Sequence, residues 1–219
     1  MPYRTPFSLA PDEVCIDYET DITAGELDVN DAYDLYLIAK GKPVSEYKVI
    51  CFMNLQFFFP NKNGGWTDLQ KQHFVRQWEA KIKSVWNRKI LRRLSASVAV
   101  LEFKFKTQID GVWLFDHWEI SVNKTARSFE VSYVNTRSGN VVLDDKDFAF
   151  ALKDVPTKSF QRGAVHEFGH MLGLDDEYKN SRWIKDKPSV MNSGEVIKQH
   201  HLSQFRAWLD SKLKKHQIK

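Results

Sequence analysis

The chain has 219 residues, of which 42% are hydrophobic and 27% are charged. This length and composition suit one large folded domain and exclude collagen-like, low-complexity and disordered proteins. No segment approaches the roughly 18–20 apolar residues that cross a bilayer, so no membrane span is expected. The N-terminus lacks an apolar run followed by a cleavage site, so no signal peptide is predicted, and a secreted form would need another export route or a larger parent chain.

Charge is distributed unevenly along the chain, although the formal net charge is only +4. The first 35 residues hold nine acidic residues and one basic residue, which leaves 31 bases and 19 acids in the rest. We interpret residues 1–45 as an acidic N-terminal arm and residues 46–219 as the main domain. The bases of the main domain are scattered, so nucleic acid is not the expected partner. The arm could instead lie against the basic body and cover a cleft there.

Hydrophobic periodicity predicts an α+β fold in which helices pack on one sheet. In the arm we expect a strand near residues 14–18 and a short helix near residues 29–38. Thr67 and Gln70 form a capping box at the start of a long helix that should run to about Arg88. Alternating apolar residues predict strands at residues 48–59, 98–106, 112–122, 129–134 and 141–143.

Two further helices are expected in the second half of the chain. One should lie between Pro156 and about Leu172, where Gly173 ends it. The last presents apolar residues at helical spacing, namely Leu202, Phe205, Leu209 and Leu213. Cys15 and Cys51 lie in apolar segments and are expected to be buried thiols or to form one disulfide.

Residues 166–170 read His-Glu-Phe-Gly-His and lie inside the first of these two helices. Because His166 and His170 are four residues apart, both imidazoles project from one helix face. Two imidazoles in this arrangement can bind one zinc ion at ~2.0–2.1 Å. Glu167 is rotated away from that face, so its carboxylate can reach a water on the open coordination position and act as a base.

The third ligand is less closely specified by the spacing. Gly173 must reverse the chain, and Asp176 lies just beyond the reversal, where its carboxylate can turn back to the metal. Glu177, Glu195 and His201 stay open as alternatives for this position.

The segment HEFGHMLGLDD from His166 to Asp176, followed by Met191 in the turn SVMN, resembles the metzincin zinc peptidases. Their pattern is HExxHxxGxxH or HExxHxxGxxD, followed by a methionine-containing turn, the Met-turn. Most members have a third histidine where this chain has Asp176, and the aspartate occurs in the snapalysin-like branch. The runs GLDDEY and SVMNSG and the late His201 also resemble bacterial metallopeptidase domains of the toxin and effector type. The resemblance covers about residues 159–193.

The resemblance implies a metzincin-like α+β fold, with one twisted mixed sheet, a long helix, an active-site zinc helix and a C-terminal helix. It implies that residues 46–219 are a zinc metallopeptidase catalytic domain, a hydrolase whose zinc-bound water is activated by Glu167. A peptide or protein substrate would bind in extended form along an edge strand, at residues 129–134 or 141–143. Met191 would form an apolar floor beneath the zinc, and Tyr178 and His201 are candidates for stabilising the oxyanion.

Two other functions are open from the sequence. The same zinc chemistry would serve an amidase that acts on peptidoglycan or on another non-protein amide. A non-catalytic binding module stabilised by zinc would not need Glu167, and structural zinc usually has four protein ligands. Sequence pattern specifies neither the cleavage preference, nor the host, nor the oligomeric state.

Overall fold

The computed structural model describes residues 3–61, 63–111, 116–125 and 131–219. The strands of these residues are β1 Glu13–Ala24, β2 Val29–Lys40, β3 Glu46–Phe58, β4 Lys89–Arg93, β5 Val98–Ile109, β6 Trp118–Asn123, β7 Tyr133–Asn135, β8 Asn140–Asp144, β9 Ala151–Asp154 and β10 Ser159–Gln161. The helices are α1 Asp68–Trp86, α2 Gly163–Met171 and α3 Ser203–Lys215, with 3-10 turns at Glu177–Lys179 and His200–Leu202. None of the helices in this described part has the length and apolar character needed to cross a membrane.

Within the described ranges the main sheet has eight strands and contains both parallel and antiparallel pairs. β1, β2 and β3 form an antiparallel meander, and β3 also pairs in parallel with β5 and with β6. β8 pairs in parallel with β6, and β7 lies antiparallel to β8 at the edge. β9 and β10 form a separate hairpin. The predicted α+β class is therefore confirmed, with one mixed sheet and three α-helices in the described residues.

The central strand β3 has the two-sided burial that its alternating sequence predicts. Its first set of side chains lies in the main core, namely Val49, Cys51, Met53, Leu55 and Phe57. On the other face, Ile50 and Phe52 pack with Phe7 and Leu9 of the N-terminal segment. Cys51 is a free buried thiol, as is Cys15, so the two cysteines form no disulfide.

Helix α1 begins with the predicted capping box and supports helix α2. The Thr67 side chain accepts the Gln70 N–H at 3.3 Å, and Gln70 Oε1 accepts the Thr67 N–H at 3.0 Å. Farther along α1, Trp78 and Trp86 contact the Phe168 ring of α2 edge-on. The ring centroid of Phe168 is 5.7 Å from that of Trp78 and 5.8 Å from that of Trp86. α1 therefore fixes the helix that carries both histidines of the motif.

Two local predictions are wrong. Residues 29–38, predicted as a short helix, belong to strand β2, which pairs with β1 and β3 on its two sides. From Tyr33 to Ile38 this strand is buried on both faces, and such a continuously buried run, which is apolar except at Asp34, fits a central strand as well as a helix. The helix predicted after Pro156 begins only at Gly163, because β10 comes first and pairs with β9. Residues 112–115 of the strand predicted at 112–122 and residues 129–130 of the strand predicted at 129–134 lie outside the described residues.

Residues 13–40 of the predicted acidic arm form the β1–β2 hairpin of the main sheet. Asp17 of β1 is only 3% exposed. Its Oδ2 accepts hydrogen bonds from Lys215 Nζ and His216 Nε2, at 2.8 Å each, and its Oδ1 accepts the Tyr18 N–H. Burial acts to raise the pKa of Asp17, but the donors from Lys215, His216 and Tyr18 outweigh it and lower that pKa. These ionic contacts of Asp17 hold the β1–β2 hairpin against the C-terminal end of α3.

We expect Asp17→Asn to lower the free energy of unfolding by about 1–3 kcal/mol near neutral pH, because a buried charged acceptor is lost. The folded-state pKa of Asp17 is below the unfolded value, so its contribution is present above the ordinary carboxyl pKa and is lost as pH falls through the folded value. Urea titrations of both chains at neutral and at acidic pH measure this difference. The exposed Asp12→Asn serves as control. A difference that does not shrink in acid would contradict the assignment.

Candidate metal centre and cleft

Helix α2 is a short helix whose residues are almost all buried. The side chain of its N-cap residue, Arg162, makes no capping hydrogen bond. Instead, Glu195 accepts the Arg162 backbone N–H at 3.0 Å and binds the guanidinium at 2.8 and 2.6 Å. This ion pair holds the start of the helix against the segment that follows the Met-turn. Both carboxylate oxygens of Glu195 bind Arg162, so Glu195 is not available to coordinate a metal together with the two histidines.

Gly173 reverses the chain after α2, as predicted. Its φ of +78° lies in the region that favours glycine. A Cβ at this position would be 2.1 Å from the Ala24 carbonyl oxygen, so the helix end lies directly against the β1–β2 turn. The Leu27 N–H donates to the Gly173 carbonyl at 3.0 Å across this contact. The reversal brings Asp176 back to the face of α2 that carries the histidines.

His166, His170 and Asp176 converge on one point. Nε2 of His166 and Nε2 of His170 each lie 3.3 Å from Asp176 Oδ1. On the other side of each ring, His166 Nδ1 is 2.9 Å from the Val190 carbonyl and His170 Nδ1 is 2.8 Å from the Leu174 carbonyl. A carbonyl oxygen only accepts hydrogen bonds, so each Nδ1 carries a proton, and each ring, when neutral, directs its Nε2 lone pair at the centre.

The third atom at this centre is also an electron-pair donor. Asp176 Oδ1 is buried and, apart from the two histidine Nε2 atoms, has no hydrogen-bond donor among the described residues. Asp176 Oδ2 accepts hydrogen bonds from Tyr178 Oη at 2.7 Å and from Lys179 Nζ at 2.5 Å. The 3.3 Å spacing at Oδ1 matches the edge, about 3.3–3.4 Å, of a tetrahedron around a metal with bonds of ~2.0–2.1 Å. The three atoms therefore fit a metal cation, and the motif residues are brought together as the spacing predicts.

Two other groups of histidine and carboxylate side chains lie close together in the described residues: Glu177 with His200 and His201, and Asp21 and Asp34 with His117. In the first group the Lys198 N–H donates to His201 Nδ1 at 3.0 Å. In the second group the Asn54 N–H donates to His117 Nδ1 at 2.8 Å. These two rings therefore carry their proton on Nε2 when neutral, and they donate it to the neighbouring carboxylate. A protonated ring nitrogen is not a metal ligand, so the tautomer distinguishes these groups from the candidate metal centre.

The charges at the centre favour the ionised form of Asp176. Burial acts to raise the pKa of Asp176, but His166, His170 and Lys179 outweigh it and hold that pKa well below its usual range. Glu167 is 8% exposed and lies in the wall of the cleft beside His166. Burial raises the pKa of Glu167 to about 7, against the opposite effect of the two histidines. The pKa values of the two carboxyl groups are thus shifted in opposite directions.

Met191 lies fully buried beneath α2. A Cβ on Gly169 would be 2.1 Å from Met191 Sδ, so the glycine of the HEFGH sequence lets the methionine side chain lie directly against the helix. The preceding carbonyl, of Val190, is the acceptor for His166. The Met191 carbonyl accepts the N–H of Glu177 at 2.9 Å. The turn therefore contacts both the helix and the loop that carries Asp176.

A cleft of about 580 Å³ opens in front of His166 and Glu167. One of its walls includes Ser132, next to the start of β7. β7 pairs only with β8 among the described strands and is an edge strand. β8 is paired on both sides, so residues 141–143 are not the edge. The described lining of the cleft includes no residue of the acidic segment 12–34.

The two candidates for oxyanion stabilisation lie in different places. Tyr178 lines the cleft, and its ring is nearly parallel to that of His166, with centroids 6.4 Å apart. His201 is 3% exposed and hydrogen-bonds to Glu177 Oε1 at 2.8 Å, behind the metal centre. His201 therefore contributes neither a ligand nor a donor to the cleft.

Sequence pattern missed several groups that position this site. The Arg162–Glu195 pair and the Glu177–His201 pair join residues far apart in the chain. The Gln161 side chain, which donates to the Val190 carbonyl at 2.8 Å, was also missed. None of these contacts has a fixed spacing in the sequence. They are identified only in the folded chain, where their polar or charged side chains are buried.

Comparison of the chain with protein-family models, with curated proteins and with solved structures finds no match. The resemblance to metzincins therefore rests on the motif residues and on nothing beyond this chain. The geometry of the candidate metal centre and of the cleft is therefore the basis for proposing what this protein does.

Proposed function

We propose that the protein is a zinc-dependent endopeptidase in which His166, His170 and Asp176 bind the zinc ion and Glu167 is the general base. The observation that carries this proposal is the convergence of two imidazole Nε2 atoms on one buried carboxylate oxygen, at 3.3 Å each. Three protein ligands that leave one position open are typical of catalytic zinc sites, whereas structural sites use four.

The ligand types favour zinc over the other common divalent ions. Calcium and magnesium prefer sites made entirely of oxygen atoms. Two imidazoles with one carboxylate suit a transition metal, and tetrahedral spacing suits zinc in particular. The hydrogen bonds from both Nδ1 atoms to carbonyls fix the ring orientations, as is usual for histidine ligands.

Zinc, when bound, would polarise the scissile carbonyl and lower the pKa of water to about 7. Glu167 accepts the proton of the attacking water and then delivers it to the leaving amine. Burial raises the pKa of Glu167, which strengthens it as a base. Tyr178 and Lys179 hold Asp176 Oδ2, so that Oδ1 alone faces the histidines.

The edge strand β7 favours a peptide substrate in extended form. It lies next to the cleft wall and leaves one side without a strand partner in the described part of the chain. An extended peptide can pair with such an edge through its backbone, and the cleft then contacts its side chains. A non-peptide amide has no continuous backbone for this pairing, so we prefer the endopeptidase to the amidase.

The proposal is tested on a denatured protein mixture, with new N-termini identified by mass spectrometry. Three samples are compared: zinc-loaded protein, chelator-treated protein, and chelator-treated protein to which zinc is returned. We expect new termini in the first and third samples only. Muropeptides are digested in parallel, and their cleavage without any protein cleavage would contradict the endopeptidase in favour of an amidase. No cleavage of either substrate by the zinc-loaded chain would contradict an enzymatic role.

A further inference from the structure

The loop that carries Asp176 must be fixed relative to α2, because a ligand oxygen 3.3 Å from both histidines leaves little tolerance. The loop is irregular between Gly173 and the 3-10 turn at Glu177–Lys179. Tyr178 and Lys179 hold Asp176 Oδ2, but both belong to the same loop and are exposed. They orient the carboxylate within the loop and do not fix the loop to the rest of the protein.

Glu177, the next residue, connects the loop to the C-terminal part of the chain. Its side chain is 4% exposed and lines a small cavity that shares no lining residue with the cleft. Glu177 Oε1 accepts hydrogen bonds from His201 Nε2 at 2.8 Å and from His200 Nε2 at 2.5 Å. Both histidines belong to the turn that leads directly into α3. His201 is held as a donor, because its Nδ1 accepts the Lys198 N–H.

The backbone of Glu177 makes the second connection. Its N–H donates to the Met191 carbonyl at 2.9 Å. The adjacent carbonyl of the same turn, Val190, accepts from His166 Nδ1 at 2.9 Å. One turn therefore holds both a histidine ligand and the residue next to Asp176. The relative position of the two ligands depends on Glu177 staying in place.

The spacing of the Glu177 cluster is that of hydrogen bonds. Its distances of 2.5 and 2.8 Å are shorter than the separation of about 3.3 Å expected between two ligands of one zinc ion. Together with the fixed tautomer of His201, this argues against a second metal in the cluster. We infer that Glu177, held by His200 and His201, is a positioning residue for the ligand Asp176; the inference rests on the proposed zinc site.

The test measures zinc affinity by competition with a chromogenic chelator and records the visible spectrum of the cobalt-substituted protein. Glu177→Ala is expected to weaken zinc binding about 10- to 100-fold, as is typical when a partner of a ligand is removed. The cobalt bands should also change, because Asp176 no longer has a fixed position; a residue that only stabilised the fold would not alter them. Glu177→Gln keeps an acceptor for His201 and is expected to restore affinity to within about threefold.

Glu26→Ala is the matched control, because it removes a carboxylate from the wall of the same cavity without a hydrogen bond to the loop. It should bind zinc as the wild type does. A folded Glu177→Ala protein with wild-type affinity and cobalt spectrum would overturn the inference. If that variant fails to fold, His200→Ala removes the more exposed donor and should weaken zinc binding in the same direction; unchanged affinity there would also overturn it. A wild type that binds no zinc would instead refute the proposed function, and this inference with it.

Discussion

Asp176→Ala is expected to weaken zinc binding by more than the roughly 10- to 100-fold loss that follows removal of an outer-shell partner. Asp176 Oδ1 is the only carboxylate oxygen that lies 3.3 Å from both histidines in the described residues. Its removal leaves two imidazoles and no negative charge at the centre, so peptide cleavage should be lost as well. Competition titration with a chelator measures the affinity.

The control for this substitution is Asp175→Asn. Asp175 is the adjacent, exposed carboxylate, and its Oδ1 accepts the Asp176 N–H at 2.7 Å, which asparagine can still do. We expect Asp175→Asn to change zinc affinity by less than about threefold, since it touches no ligand atom. Zinc should also raise the melting temperature of this control and of the wild type, but not that of Asp176→Ala. Wild-type zinc binding by Asp176→Ala would show that the third ligand is a different residue.

Glu167→Gln is expected to lower the rate of peptide cleavage by about 10²- to 10⁴-fold while zinc affinity stays near the wild-type value. The two side chains have the same shape, but the amide cannot accept the proton of the attacking water. Because the variant keeps His166, His170 and Asp176, loss of activity cannot be attributed to loss of metal. The measurement is kcat on a peptide identified from the mass-spectrometric digest, with zinc content determined on the same samples.

The matched control is Glu79→Gln, the same substitution on α1, where Glu79 forms an ion pair with Lys83 outside the cleft. Its kcat should equal that of the wild type. Undiminished cleavage by zinc-loaded Glu167→Gln would remove Glu167 from the mechanism and leave the base to be found elsewhere in the cleft.

Local features of this protein were predictable because they depend on neighbours in the sequence. The capping box at Thr67 needs only Gln70, and the shared face of His166 and His170 follows from helical spacing. The alternation in β3 likewise specifies which side chains enter the core. β2 failed as a prediction because a strand buried on both faces loses its alternation and looks like a buried helix.

The sequence pattern alone does not decide which residue is the proposed third ligand. Spacing left Asp176 and Glu177 as neighbouring alternatives, and both carry a carboxylate. In the folded chain they have different partners, with Asp176 against the histidines of α2 and Glu177 against His201. That choice depends on contacts between α2, the Met-turn and the start of α3, which no local pattern encodes.

Binding of one zinc ion by His166, His170 and Asp176 is tested most directly by zinc content together with X-ray absorption at the zinc edge, on the wild type and on His166→Ala. We expect one zinc ion per wild-type chain, bound by imidazole nitrogen and oxygen at ~2.0–2.1 Å without sulfur, and no such site in the variant. Sulfur in the coordination sphere, no zinc in the wild type, or an unchanged spectrum in His166→Ala would contradict it.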